Sequence, residues 1–343
     1  MKVLFVCKER FNYSSPYGYG GYGYGTAYGL ITSAELVSNF LNSINIESQV
    51  SQVVDGNGID KIVYNYKPTH VFIEAIWATP AKLQELQKKY PKIIWIIRVH
   101  SDIPFLAMEG IALNWVFEYI NSGLIVAFNK KDALQGLERF FFQLLPNLYY
   151  PFEAFQPTYN IVKGNPINIG CFGALRPLKN QLQQAVAAIE FGEENGFTIN
   201  FHINSTRLEQ GGDTILKNLK SLFSVSSPHT LVQHPWMSRA RFLSLLQTTI
   251  DVGMQVSFTE TYDIVAADFI NMGIPIIGST AIPWISIDSI SDFVVDDMVN
   301  ALSQIILTNS NYISNVSNNQ KNIESANYLS GLKWIKFLKE TSN

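Results

Sequence analysis

The sequence predicts an α/β protein made of two Rossmann-like, doubly wound domains that face each other across a cleft. A chain of 343 residues is too long for one ordinary core and suits two domains. Apolar residues make up 47% of it and charged residues 15%, which is a globular composition with enough material for buried sheets. Short apolar segments alternate with amphipathic ones in two successive runs, and this alternation indicates parallel sheets covered by helices.

The first run of this alternation lies within residues 1–155, which we interpret as the N-terminal domain. Its strongest signal is KIIWIIRV at 92–99, a segment that is apolar on both faces and therefore typical of a central parallel strand. The other elements predicted here, in order, are strand 2–7, helix 26–42, strand 49–54, strand 70–77, helix 80–89, helix 107–121 and strand 123–128.

The alternation stops at 151–166, where PFEAFQPTYNIVKGNP holds three prolines and no amphipathic period. We interpret this segment as the linker to a second Rossmann-like domain at 166–326. The elements predicted there are strand 167–172, helix 180–192, strand 198–203, helix 214–222, strand 230–233, helix 239–248, strand 250–256, helix 262–272 and strand 275–278. The Asn- and Ser-rich segment 308–327 is expected to form a solvated helix–loop surface. Residues 327–343 are expected to form a C-terminal helix, for which packing back on the N-terminal domain is one arrangement.

Charge and cysteine content exclude several classes of protein. The formal net charge is -3, so nucleic acid is not favoured as the main partner. Cys7 and Cys171 each lie in an apolar strand, which indicates buried free thiols and no disulfide scaffold. The apolar run in MKVLFVCKER is too short for a signal peptide, and no apolar stretch approaches the ~18 residues of a membrane span. A cytoplasmic protein without a membrane span is therefore expected.

The most informative segment is SFTETYDIVAADFINMGIPIIG at 257–278. Its polar turn ends a predicted strand, and Thr261 is expected to cap the helix that follows. The backbone N–H groups of Tyr262, Asp263 and Ile264 would then form an anion site suited to a diphosphate, although the Asp263 carboxylate competes for the same positive helix end.

This segment resembles the retaining glycosyltransferases of the GT-B fold, especially family 4. Their hallmark is Glu-x7-Glu followed by a small-Gly-x-Pro turn, and Glu260, Asp268 and the residues 272–275 stand in matching places. The resemblance implies that 1–155 lies on the acceptor side and that 166–326 binds a nucleotide-sugar donor. It also implies that Glu260 orients donor sugar hydroxyls and that Asp268, one methylene shorter than the family glutamate, holds the donor ribose. The alternative for Asp268 is a plain helix-face charge.

A second segment, GCFGALRPLKNQ at 170–181, looks like the family pattern Gly-Arg-Leu-x-x-x-Lys. Lys179 falls on the family lysine, whereas Ala174 stands at the position of the family arginine. Cleavage of a sugar–phosphate bond develops negative charge on the departing diphosphate, which fixed cations stabilise. Lys179 is therefore expected to hold the diphosphate, and Arg176, two residues beyond Ala174, is expected to reach the same phosphates. The alternative is that both are solvated loop cations.

Two further features lie in the N-terminal half. His100, in IIRVHSDIP just past the strand at 92–99, occupies a position where the family often has a histidine that touches the donor sugar or the reacting centre. Asp102 is a candidate to orient His100 or to act on the acceptor. The loop 13–29 is rich in Gly and Tyr, and the resemblance implies that Gly21 lies near the donor phosphates. We interpret the loop as a lid over the acceptor or as a plain surface loop.

Together these features predict transfer of a hexose-like sugar from a nucleoside diphosphate sugar to an acceptor hydroxyl, with retained configuration. The sequence has no Asp-x-Asp after a strand and no His/Cys ligand cluster, so neither a metal nor a cofactor is expected beyond the donor as co-substrate. The acceptor is left open among a glycan, a lipid, a protein and a modified base. Two alternative functions remain: a sugar-nucleotide epimerase on the same scaffold, and a catalytically degenerate protein that binds a glycan or a nucleotide.

Overall fold

The computed structural model describes residues 1–9, 28–130, 142–157 and 165–342. These residues divide into two compact units, with the break after Pro151. The N-terminal unit contains residues up to 151 together with 325–342, and the C-terminal unit contains 152–157 and 165–324. The break thus falls inside the proline-rich segment that the sequence marked as a linker.

The N-terminal unit is built on a six-stranded parallel sheet with strand order β2-β1-β3-β4-β5-β6. The register places Val3 of β1 beside His70 of β3, and Ile73 of β3 beside Ile97 of β4. Its elements are β1 Lys2–Lys8, α1 Tyr28–Ser43, β2 Glu47–Val53, α2 Gly58–Tyr66, β3 His70–Glu74, α3 Pro80–Lys89, β4 Ile94–Val99, α4 Ile103–Leu106, α5 Ala112–Asn121, β5 Ile125–Phe128 and β6 Gln143–Leu144.

Both faces of this sheet are buried, which explains why its central strands are apolar at most positions. Leu4 and Val6 of β1 belong to a core that also contains side chains of α2, α3 and α5. Val3 and Phe5 point to the opposite face, where they join side chains of α1 and of the C-terminal end of the chain, including Trp334. Successive residues of a strand alternate between faces, so a strand covered on both sides needs apolar residues at both sets of positions.

The C-terminal unit is built on a five-stranded parallel sheet with strand order β11-β10-β7-β8-β9. The main core lies between one face of this sheet and the helices α6, α7 and α10. The elements are β7 Ile167–Gly170, a 3-10 turn Pro177–Lys179, α6 Gln181–Asn195, β8 Ile199–Asn204, α7 Gly212–Val225, β9 Thr230–His234, α8 Arg239–Thr249, β10 Val252–Gln255, α9 Ile264–Asn271, β11 Ile276–Gly278, a 3-10 turn Ile287–Ser289, α10 Val295–Ile306 and α11 Asn309–Thr341.

The Asn- and Ser-rich segment differs from its prediction as a solvated helix–loop surface, because it is the first half of the continuous helix α11. Asn315 is buried, and its amide donates to the carbonyl of Ile276 (2.9 Å) and accepts from the Ile276 N–H (3.0 Å). Asn319 is also buried and accepts from the N–H of Ser286 (2.8 Å). These side chains satisfy backbone groups of the edge strand β11 and the loop after it, a role that composition does not reveal.

The second half of α11 belongs to the N-terminal unit, where Trp334, Phe337 and Leu338 are buried in the core beside β1 and β3. The Trp334 indole donates to the carbonyl of Pro146 (2.9 Å). The expected C-terminal helix therefore begins at 309 rather than at 327, and it completes the apolar cover of the first sheet.

Both cysteines are buried and free, as the sequence predicted. Burial raises the pKa of Cys171 to about 12 and raises that of Cys7 as well, so neither thiol is ionised at neutral pH. Within the described ranges, no helix combines the length and the apolar character that crossing a membrane requires.

Candidate functional site

A tight turn after β7 places Lys179 inside the C-terminal unit. Gly173 has φ +118°, a backbone conformation that L side chains rarely adopt, and its N–H donates to Asn204 Oδ1 (3.0 Å). The chain then enters the 3-10 turn that ends at Lys179, and the Asn180 amide ties it to the carbonyl of Val256 (3.3 Å). The Lys179 side chain is consequently only 10% exposed, at the carboxyl end of the sheet's central strand.

The Lys179 ammonium is held between two buried carboxylates. Its Nζ lies 2.5 Å from Glu260 Oε1 and 3.2 Å from Asp263 Oδ2. Burial opposes the charge on Lys179, but the attraction of Asp263 and Glu260 outweighs it and raises the pKa of the lysine. Burial, and then the repulsion from Asp263, raise the pKa of Glu260 against the attraction of Lys179. The structure thus brings together two residues that the sequence selected from separate segments.

The helix start differs from its prediction. Asp263, with φ +61°, is the N-cap of α9, and its Oδ1 accepts from the N–H of Ala266 (3.0 Å). The prediction that Thr261 caps the helix is wrong, because the helix begins three residues later, at Ile264. Of the three N–H groups proposed as an anion site, only that of Ile264 lies in the first helical turn.

Tyr262 precedes the helix and is buried as a packing residue. Its carbonyl accepts from the indole of Trp284 (2.7 Å), and the two rings lie with their centroids 6.2 Å apart. Since its backbone is fixed by this contact, Tyr262 sets the direction in which the chain enters α9, rather than offering an N–H of the first turn.

Arg176 lies on the same turn as Lys179, one residue before the 3-10 helix. Its Nη1 is 3.3 Å from Glu209 Oε2, and Arg207 pairs with the other oxygen of that carboxylate (2.7 Å). The positive charge of Arg176 still acts on Lys179 and Glu260. It partly offsets the rise in the pKa of Glu260 and partly offsets the rise in the pKa of Lys179. Arg176 therefore adds to the positive potential at this turn.

Asp268 lies on α9 and forms a bidentate ion pair with Arg239, the first residue of α8. The guanidinium Nη2 is 2.5 Å from Oδ1, and Nη1 is 3.1 Å from Oδ2. Asp268 is almost fully buried, and a buried carboxylate requires a partner of this kind. Sequence reasoning missed Arg239, although the shortage of polar neighbours around Asp268 already indicated that some partner existed.

In the N-terminal unit, His100 follows β4 as predicted, and its ring is held at both nitrogens. Nε2 contacts the carboxylate of Glu74, at the end of β3, and Nδ1 lies 3.3 Å from the amide nitrogen of Asn129. Asp102 caps α4 by accepting from Ile103 N–H (2.8 Å), and it pairs with Lys130 (3.2 Å). Glu74 is thus the carboxylate that orients His100, the role for which the sequence had suggested Asp102.

Glu74 belongs to a fully buried ion pair with Arg98 of β4. Nη1 of Arg98 lies 3.0 Å from Glu74 Oε2, and both side chains have zero exposure. Arg98 also donates to the amide oxygen of Asn147 and to the carbonyl of Leu145 (3.3 Å), and its Cζ lies 5.1 Å from the centre of the Trp334 ring. Acidic and basic residues inside the apolar strands at 70–77 and 92–99 were the sequence signal for this pair.

The electrostatics of this group fix the charge of each member. Burial works against the ionised form of Glu74, but Arg98 and His100 hold its pKa below the usual value. Burial lowers the pKa of His100 in spite of the neighbouring carboxylate, so the imidazole is neutral at neutral pH. A neutral ring that donates from Nε2 to Glu74 has its acceptor at Nδ1, facing Asn129.

The structure therefore gathers Lys179, Glu260, Asp263 and Arg176 in the C-terminal unit and gives Asp268 a separate partner. Gly21 and the tyrosines at 13–24 lie outside the described residues. Within the described part of the chain, no group of three or more His, Cys, Asp or Glu side chains is arranged to hold a metal ion.

Comparison with known proteins gives likeness in structure rather than in sequence. No family model and no curated protein matches the sequence. A sucrose-phosphate synthase from Thermosynechococcus elongatus has a TM-score of 0.72 and 10% identity, over 99% of each chain. A trehalose-6-phosphate protein from E. coli bound with UDP-2-fluoro glucose has a TM-score of 0.66 and 12% identity, over 98% of this chain and 99% of its own. A UDP-forming alpha,alpha-trehalose-phosphate synthase from Burkholderia xenovorans has a TM-score of 0.64 and 12% identity, over 100% of this chain and 99% of its own. These likenesses confirm the predicted GT-B fold, with two Rossmann-like domains.

Proposed function

We propose that the protein is a glycosyltransferase that moves a hexose-like sugar from a nucleoside diphosphate sugar to an acceptor hydroxyl, with retention and without a metal ion. The observation that carries this proposal is the buried Lys179–Glu260 pair at the carboxyl end of β7, beside the start of α9. Carboxyl strand ends of Rossmann-like sheets are the usual place for nucleotide ligands. The bound UDP-2-fluoro glucose in the E. coli protein of similar fold supports the choice of donor.

The leaving diphosphate is assigned to the cations of the β7 turn and to the helix start. Lys179 and Arg176 supply positive charge where negative charge develops as the sugar–phosphate bond breaks. The N–H groups of the first turn of α9, beginning with Ile264, have no carbonyl acceptor within the helix and favour an anion. Together they supply without a metal what a divalent cation supplies elsewhere.

The donor sugar and ribose are assigned to two acids. Glu260, released from Lys179 as the phosphates arrive, accepts hydrogen bonds from sugar hydroxyls. Asp268 is assigned to the ribose, the role that the matching acid has in the glycosyltransferases whose motif this segment resembles, and its pair with Arg239 holds the carboxylate in the ionised form that accepts hydrogen bonds from ribose hydroxyls. We assign His100, with its ring fixed by Glu74, to the reacting centre, where an oxocarbenium-like transition state forms.

The test is donor binding measured by thermal shift with UDP-, GDP- and ADP-sugars. A donor present at 100 times its Kd should stabilise the protein by about 2.7 kcal/mol, which raises the melting temperature by several degrees. Lys179→Ala should remove that shift, whereas Lys220→Ala, which deletes an exposed lysine of α7 in the same unit, should preserve it. A shift that is equal in both variants would contradict the proposal.

Turnover separates the proposed reaction from its alternatives. A glycosyltransferase forms a glycosylated acceptor and releases the nucleoside diphosphate, whereas an epimerase converts the donor without any acceptor. A degenerate binding protein shows the thermal shift and no turnover. Product analysis with glycan, lipid, protein and modified-base acceptors therefore also identifies the acceptor class.

A further inference from the structure

The carboxylate of Asp263 contacts both groups that the proposed diphosphate would use, the Lys179 ammonium and an N–H at the start of α9. Its Oδ2 lies 3.2 Å from the ammonium of Lys179, and its Oδ1 accepts from the first-turn N–H of Ala266 (3.0 Å). A phosphate bound at a helix N-terminus next to a lysine makes the same two kinds of contact. One buried carboxylate of the protein thus stands where a ligand's anionic group would bind.

Capping alone does not require this residue. Ser or Asn caps a helix as well as Asp does, and neither brings a negative charge into a buried site. The side chain of Asp263 is only 1% exposed, and Glu260 already neutralises Lys179 at 2.5 Å. The φ of +61° is also an uncommon one for a residue with a side chain, although Asp and Asn tolerate it better than others do.

The charges around this position sum close to zero. Lys179 and Arg176 supply two positive charges on the β7 turn, and Glu260 and Asp263 supply two negative ones at the start of α9. Arrival of a diphosphate would place further negative charge beside two buried carboxylates. The energetic cost of that repulsion includes the negative charge that the side chain at position 263 brings into the site.

We propose that Asp263 is an affinity-setting residue, an internal anion that occupies Lys179 and the N-terminus of α9 and that a nucleoside diphosphate must displace. The inference rests on the proposed function. It implies that the site binds a nucleoside diphosphate more weakly than its two cations alone would, which favours release of the diphosphate product after transfer.

The test variant is Asp263→Asn, measured in the full-length protein by calorimetric titration with UDP, GDP and ADP. Asn retains an oxygen that caps Ala266 and tolerates the left-handed backbone, so the substitution removes the charge and little else. The Kd for the preferred nucleotide is expected to fall by about tenfold or more, since a buried like charge within a few ångströms is removed. Asp213→Asn is the matched control, because it removes an exposed acid from the first turn of α7 in the same unit. The control should leave Kd unchanged.

A second variant protects the test against a folding defect. Asp263→Gly also removes the charge, accepts positive φ without strain, and is a tolerable N-cap. If the wild type binds a nucleotide and both Asp263 variants bind it with the same or a higher Kd than the wild type, this inference is overturned and the proposed function stands. Absence of binding in the wild type and in all variants overturns both. Tighter binding in the variants, including binding seen only there, supports the inference.

Discussion

The buried pair of Glu74 and Arg98 allows a quantitative test of the N-terminal unit. Glu74→Gln removes the negative charge, keeps the size of the side chain, and leaves the Arg98 guanidinium buried without its counter-ion. Loss of one partner of a buried pair typically costs about 3–5 kcal/mol. Arg98 retains the oxygens of Asn147 and Leu145 and the face of Trp334, so we expect the lower end, about 3 kcal/mol.

The loss is measured as a fall in the midpoint of thermal unfolding followed by circular dichroism. A domain of 150–250 residues loses about 2–4 °C per kcal/mol, so the expected fall is about 6–12 °C. Glu85→Gln is the control, because this acid is exposed and pairs with Lys82 at the surface (2.8 Å). An exposed pair of this kind contributes about 0–1 kcal/mol, so the control should shift the midpoint by a few degrees at most.

A double variant separates lost charge from lost packing. Arg98→Met in the Glu74→Gln background removes the second charge and keeps an unbranched apolar stem, so part of the lost stability should return. One contrary result would be a Glu74→Gln midpoint that falls no further than that of Glu85→Gln. Another would be a double variant whose midpoint lies below that of Glu74→Gln by as much again as Glu74→Gln lies below the wild type. Either result would mean that Glu74 is not the main stabiliser of the guanidinium.

The remaining predictions concern the C-terminal unit and the reaction. Arg239→Met leaves the buried Asp268 without this counter-ion and should destabilise the protein by about 3 kcal/mol, the lower end for a broken buried pair because Arg239 itself is 29% exposed. Arg241→Met, at an exposed position of the same helix, should have little effect in the same melting assay, and equal effects of the two variants would contradict the pairing. Burial and the charge of Asp263 raise the pKa of Glu260, so kcat/KM should fall on acidification at a pH above about 4.3, the pKa of an unperturbed glutamate. Asp263→Asn should move that fall to lower pH. A pH profile that this variant leaves in place would contradict the assignment of Glu260. Transfer should continue at an unchanged rate in EDTA, and a loss that Mg²⁺ restores would remove the metal-free part of the proposal.

Local patterns were sufficient to predict most of the sheets. Strands such as β4 and β7 are apolar on the faces that helices cover, so their identity as strands and their parallel direction follow from the pattern of residues. The helix α2 was not predicted, and α11 was predicted only in part. The first half of α11 has a polar composition, and its burial depends on hydrogen bonds from Asn315 and Asn319 to segments distant in sequence.

The positions of candidate residues were predictable where a residue follows a predicted strand: Lys179, Glu260 and His100 lie in the segments after β7, β10 and β4, as expected, and their roles remain predictions. Partner choice was not predictable. Glu74 binds His100, and Arg239 binds Asp268, because the fold brings separate strands and helices together, and a sequence shows that a buried charge needs a partner without showing which one.

The most direct test of the central claim is a crystal structure of the protein with a nucleoside diphosphate bound. We expect phosphate oxygens at about 2.8 Å from Lys179 Nζ and from the first-turn N–H groups of α9, with the carboxylate of Asp263 moved off the lysine. A structure in which Lys179 keeps both Glu260 and Asp263 while the nucleotide binds at another place would contradict the account.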